Sequence, residues 1–154
     1  MILKVNDFTL MEQHHLQRLM NLEKDTKVLL PIRITIGKRR LRRFYLNLNQ
    51  YRNWNTFVSN DIKKAFQEKV SKRLDFKFNS EIEVDYTYYA PDSRVRDLMN
   101  VISVVDKFFQ DTMTSSGCIV SDDTKTVKKI TCKYGGIDRE NPRIEAVIKQ
   151  YNED

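Results

Sequence analysis

Apolar and polar residues alternate most strictly over residues 81–90, EIEVDYTYYA. Ile82, Val84, Tyr86 and Tyr88 fall on one face, and Glu81, Glu83, Asp85 and Thr87 on the other. A period of two marks a strand with one buried and one wet face, and Pro91 ends it. KVLLPIRITIG, residues 27–37, ends in the same alternation: Ile32, Ile34 and Ile36 against Arg33 and Thr35. GKRR then reads as a turn, and RRFYLNLN alternates through Phe44, Leu46 and Leu48, which predicts a hairpin with arginines at its tip. Helical spacing appears in three places. Residues 9–24 carry Leu16, Leu19 and Met20 with Leu22 nearby, and a short strand over residues 2–5 is expected before them. In TFVSNDIKKAFQEKVSKRL, Ser59 reads as an N-cap ahead of a stripe of Ile62, Ala65, Phe66 and Val70. From Leu98 to about Thr114 a further helix buries Val101, Ile102, Val105, Phe108 and Phe109. GCIVSDD makes a turn and a short apolar run, and KTVKKITCKYGG and RIEAVIKQYN read as two strands around a Gly135-Gly136 turn. The pattern predicts an α+β fold, with a small mixed or antiparallel sheet packed against two main helices and an extra N-terminal helix. With 154 residues and no repeat or linker, one domain is expected.

Composition narrows the class. No apolar stretch approaches the roughly 20 residues of a membrane span. The start, MILKVNDFTLMEQ, lacks the basic-then-apolar layout of a signal peptide, so a cytoplasmic location with reduced thiols and no membrane partner is expected. Two cysteines are too few for a disulfide framework, and two histidines make a poor zinc set. His14 and His15 point to different helix faces, and Cys118 has no histidine base near it in sequence. The net charge of +6 suggests a polyanionic partner. Its distribution says more: residues 33–45 carry six basic side chains and no acid, whereas Asp92 to Asp123 holds six acids against three bases.

The gathered aspartates raise the question of a cation. Asp97 stands where a strand-following loop enters a helix, a place that suits an N-cap as well as a ligand. Asp122 and Asp123 follow one helix and one turn later. An antiparallel return would bring them back beside Asp97. Like charges brought together oppose ionisation, and a divalent ion relieves that cost. Magnesium takes oxygen ligands, completes its shell with water and phosphate, and can activate water against a phosphodiester. The alternative is that Asp123 makes a turn and Asp122 faces solvent.

PDSRVRDLMN, then VISVVDKFFQDTMTSSG, then CIVSDD resembles the motif series of the RusA-type Holliday-junction resolvases, phage-linked endodeoxyribonucleases. That family has an Arg-rich approach to D-L-D-N, an amphipathic helix, and a G-[FIV]-x-x-D-D element. YRNWNTFVSNDIKKAFQEKV is similar to its lead into a Val-Ser-capped helix. The likeness covers roughly residues 44–150, and residues 1–43, the N-terminal extension with the basic hairpin, match weakly. It implies a RusA-like homodimer that binds four-way DNA junctions and nicks opposing strands with aspartate-bound Mg²⁺ or Mn²⁺. It implies further that Asp97 matches the first aspartate, Asn100 the asparagine, and Asp122 and Asp123 the closing pair, with Asp123 the ligand of choice between them. If the chain is phage- or prophage-encoded, the location is the host cytoplasm. Met99 and Ser103 stand where the family has an aspartate and a lysine, and a thioether is a poor ligand for a hard cation. Asp106, on the same helical face, could supply the lost carboxylate, and Lys107 or Lys125 the lost lysine. Candidate phosphate contacts are Lys38, Arg39, Arg40, Arg42, Arg43, Arg52, Arg94 and Arg96. Arg94 and Arg96 could equally neutralise the neighbouring aspartates, and Tyr51 and Trp54 could stack on an unpaired base or simply pack. Two functions are thereby expected: a Mg²⁺-dependent junction-resolving endonuclease, or a catalytically altered DNA- or protein-binding relative.

Overall fold

The alternating segment forms β4 (Ile82–Ala90), whose residues switch between buried and half-buried along its whole length. In this computed structural model, which describes residues 9–153, β4 sits inside a four-stranded sheet. β6 (Arg143–Gln150) pairs antiparallel on one side of β4, and β5 (Val127–Ile137) pairs parallel on the other. β1 (Thr26–Leu30) closes the far side against β6, giving the order β1-β6-β4-β5. The register carries one apolar row across the sheet: Val84 faces Ile148, Tyr86 faces Ala146, and Tyr88 faces Ile144. The opposite face is wet and its charges are paired, as Lys149 with Asp85 at 2.9 Å and Lys27 with Glu145 at 3.0 Å.

Two helices cover the apolar row. α3 (Thr56–Ser71) buries Ile62, Phe66 and Val70, as its spacing predicts. Its cap is Asn55, not Ser59: the Asn55 carboxamide oxygen accepts the Val58 N–H at 2.9 Å, and the helix is already under way at Ser59. α4 (Leu98–Ser115) buries the five expected apolar residues together with Val104, Thr112 and Met113. Phe66 and Phe108 meet edge-on across the two helices at 5.7 Å.

A two-stranded hairpin stands beside this body, formed by β2 (Arg33–Ile36) and β3 (Arg42–Tyr45). Its second strand stops at Tyr45 rather than running on through Leu48. Asn47 accepts the Gln50 N–H and starts a single turn, α2 (Leu48–Tyr51). Residues 27–37 are likewise two strands, β1 and β2, with Pro31 in the break between them.

The N-terminal helix is α1 (Leu10–Met20), opened by a capping box of Thr9 and Glu12. None of its residues is buried. Polar contacts tie it to the body: the Arg18 guanidinium donates to the Leu74 carbonyl at 2.8 Å and to the Ser116 carbonyl at 2.6 Å, and Asn21 donates to the Asp75 carbonyl at 2.7 Å. The expected strand over residues 2–5 lies outside the described residues. No helix among the described residues is long and apolar enough to cross a membrane.

Gly135 and Gly136 do not make the final turn. Both lie within β5, where the register against β4 slips between Tyr88 and Tyr89. A Cβ on Gly135 would stand 2.7 Å from Thr87 Cγ2 and 2.8 Å from the Tyr89 ring, so the bulge needs a residue without one. The chain turns instead over residues 138–142, where the Asn141 N–H donates to Asp138. β5 and β6 therefore lie on opposite sides of β4 rather than beside each other.

Phe66 is fully buried where α3 meets α4. Phe66→Ala should cost about 3–5 kcal/mol of stability, to be read as a lower midpoint with unchanged slope in urea unfolding.

Candidate nucleic-acid interface

The hairpin is rooted in the core and carries its charge outward. Ile34 and Phe44 pair across it and are both buried. Gly37, at φ 117°, lets the tip fold back; a Cβ there would meet the Arg40 carbonyl oxygen at 2.2 Å. Lys38, Arg39, Arg40, Arg42 and Arg43 are all exposed. Among the described residues none of the five forms an ion pair. The Arg42 guanidinium lies over the Phe44 ring, 5.0 Å from its centroid, a cation–π contact that orients it at the edge of the core. Arg52, just past α2, is exposed as well.

A pair of arginines, Arg94 and Arg96, follows β4. Arg96 is not a free cation: its guanidinium bonds Asp92 at 2.7 and 2.9 Å. The Arg96 hydrogen bond, helped by the Arg94 N–H, holds the Asp92 carboxyl down at about 2. Arg96 thus takes the neutralising role, while the Arg94 side chain stays exposed. Between this loop and the carboxyl end of β5 lies a groove of about 350 Å³ with Tyr88 and Tyr134 as its aromatic wall and Arg94, Val95 and Leu98 at its margin.

The two acidic patches do not meet within one chain. Asp97 caps α4, accepting the Met99 N–H at 2.9 Å and the Asn100 N–H at 3.3 Å. Asp122 lies far down the helix, hydrogen-bonded to Asp111. At 1.5 Å rise per residue, fourteen residues of α4 put Asp97 roughly 21 Å from Asp111. The sheet gives the same answer. Val127, just after Asp123, pairs with the first residue of β4, whereas Asp97 follows the last. The expected antiparallel return is in fact a parallel crossover, which delivers the chain to the opposite end of the sheet. Magnesium holds its oxygen ligands at about 2.0–2.1 Å, so Asp97 and Asp123 of one chain cannot share an ion.

Each expected acid has a structural partner. The Asp123 carboxylate accepts from Ser121 at 2.8 Å and from the Lys125 N–H at 2.9 Å, and these bonds hold it below the usual range. It is the turn residue of the alternative reading, and Lys125 belongs to that same turn, remote from Asp97. Contact with Asp111 pushes Asp122 up. Burial also pushes Asp111 up, but hydrogen bonds from Lys63, at 2.8 Å, and Asp122 outweigh it and hold Asp111 low. Asp106 does not replace the carboxylate missing at Met99. It turns inward, accepting from the Tyr86 hydroxyl and from Gln110, and burial pushes its pKa up. Met99 is half-exposed, and the Ser103 hydroxyl donates to the Met99 carbonyl. Asn100 lies in the first turn of α4, its N–H taken by the Asp97 cap. Lys107 is held at the Tyr51 hydroxyl at 2.9 Å. Tyr51 and Trp54 pack edge-on with each other, and with Phe108 and Phe44 respectively, so they are packing residues. Burial raises the Cys118 thiol to about 11, far from a nucleophile. Among the described residues no three His, Cys, Asp or Glu side chains are grouped to hold a metal. Sequence reasoning missed Lys63, Asp111 and the Tyr86–Asp106 bond, all pairings between residues distant in the chain.

No family model matches the chain, and no curated protein matches it.

Asp97→Ala should cost about 0.5–2 kcal/mol through the lost cap, and Asp97→Asn almost nothing, as thermal unfolding would show. A buried carboxyl with a raised pKa stabilises the fold only while protonated. That contribution is lost as pH climbs from the unfolded value, about 3.9, through the folded one. Asp106→Asn should therefore unfold at a higher temperature than wild type at pH 7, with the gap closing toward acid.

Proposed function

We propose that this chain binds branched DNA, as a homodimer, and is a DNA-binding relative of the junction resolvases with an altered acidic site. The observation that carries this reading is the hairpin tip: five exposed cations in six residues, unmatched by acids, on a stiff arm seated in the core. Phosphates neutralise such a row, and the counterions they release supply most of the affinity. Arg52 and Arg94 extend the cationic surface, while the acids at Asp97 and Asp123 are engaged in a cap and a turn.

A second reading is Mg²⁺-dependent cleavage of the same DNA. The Asp111–Asp122 contact favours it, because two carboxyls held together are relieved by a cation. Cleavage of a synthetic four-way junction with Mg²⁺ or Mn²⁺ would decide for it if paired nicks appear in wild type and vanish in Asp122→Asn. Junction binding that persists in EDTA, with no nicks under either metal, decides for the binding relative.

The binding itself is tested by titrating the junction at several salt concentrations. Replacing Arg39, Arg40, Arg42 and Arg43 with alanine should weaken binding by at least about 10- to 100-fold and flatten the log–log salt slope by about 3.6 for each hairpin that contacts the junction. An unchanged slope would remove the hairpin from the interface.

A further inference from the structure

Away from the hairpin tip, the root of β2 and the far end of α3 enclose a cleft of about 560 Å³. Arg33 lines it from the first residue of β2, Lys69 from the last turn of α3, and Arg73 from just past that helix's cap. All three side chains are exposed, and among the described residues none forms an ion pair. Arg73 is held in place: its guanidinium donates to the Leu29 carbonyl at 2.6 Å, on the margin strand β1, which uses one of its five N–H groups. The other two cations of the cleft are already neutralised. Lys27 pairs with Glu145 at 3.0 Å, and Arg143 with Glu145 at 2.9 Å and Asp138 at 2.8 Å. Glu140 is the one acid lining the cleft among the described residues, and it has no ion-pair partner there. Three uncompensated cations therefore face one uncompensated carboxylate.

A plainer role exists for cations at a helix C-terminus, where they complement the helix dipole. It accounts for Lys69 and Arg73. It does not account for Arg33, which arrives from a different element to line the same hollow. The cleft is also distinct from the hairpin tip. Between the two, the groove along α3 holds Asp61 and Glu68 beside Lys64, so the positive surface is interrupted. β2 measures the gap: four steps from Arg33 to Gly37, at about 3.4 Å each, make roughly 14 Å. One strand of DNA carries a charge about every 3.4 Å of helix axis, so roughly four phosphates fit that interval.

We propose that this cleft is a second phosphodiester site, in which Arg33, Lys69 and Arg73 hold the DNA backbone about four phosphates beyond the hairpin tip. β2 and α3 pack on each other, so the spacing of the two sites is fixed. A backbone has to follow one course across the molecule to meet both. The inference rests on the DNA-binding reading of the hairpin and adds a contact remote from it.

The test is a salt titration of the four-way junction with the full chain. Arg33→Gln, Lys69→Gln and Arg73→Gln together should flatten the log–log slope by about 2.7 for each cleft that contacts DNA, at about 0.9 per neutralised phosphate. Arg33→Lys with Arg73→Lys should keep the wild-type slope, because counterion release follows charge. Glu140→Gln, which removes the unpaired acid, should tighten binding, a gain that damage to the fold does not give. A triple variant with the wild-type slope overturns the proposal, and so does a lysine variant that loses it. Should the triple variant not fold, Glu140→Gln alone decides, and binding no tighter than wild type overturns the cleft. If only the hairpin variant flattens the slope, the cleft fails and the DNA-binding reading stands. If neither variant does, both fail.

Discussion

The fold is organised by the length of α4 laid along β4. A helix of 18 residues spans roughly 27 Å and a strand of 9 residues roughly 30 Å, so each crosses the molecule once. Because β5 runs parallel to β4, the connecting helix has to make the whole return journey. Whatever begins α4 is thereby held at one end of the sheet, and whatever ends it at the other. The apolar contacts of Val101, Ile102, Val105, Phe108 and Phe109 lock the helix in that position. Electrostatic preference has no means of drawing the two acidic patches together against such packing within one chain.

Short-period features were legible in the sequence. The alternation of β4 and the stripe of α4 are local, and each follows from one face being buried. The hairpin was legible too, since its turn and both strands sit within thirteen residues. What stayed hidden were pairings across distance. Nothing in residues 127–137 distinguishes a parallel from an antiparallel neighbour, and the acidic arrangement turned on that choice. Gly135-Gly136 looks like a turn because glycine serves turns and bulges alike, and only the Tyr89 ring pressed against it separates the two. At α3 two capping residues competed, and Asn55 won by lying one turn earlier. Of the candidate site, the cations of the hairpin read correctly as exposed. The role of Asp106 did not, being set by Tyr86, twenty residues away; for Arg96 the neutralising alternative is the one that the fold of its loop selects.

Charge is segregated in a way that bears on function. On the wet face of the sheet, Glu83, Asp85 and Glu145 meet Lys27, Lys129 and Lys149, so that face is close to neutral in effect. The net positive charge is expressed most densely at the hairpin, whereas the loop after β4 balances Arg94 and Arg96 against Asp92 and Asp97. A polyanion approaching the molecule is steered toward the hairpin. Since the hairpin is anchored by Ile34 and Phe44, its arginines are presented on an arm already ordered, and binding need not supply the free energy of folding it.

The attachment of α1 has a dynamic consequence. No residue of α1 is fully buried, and the Arg18 guanidinium and the Asn21 carboxamide tie it to the body. Each such contact is worth about 1 kcal/mol. These contacts contribute only a small part of the stability of the whole, so α1 opens at a lower free energy than the sheet. Its amides should exchange with solvent on a faster clock than those of β4, as a separate subglobal opening of the molecule.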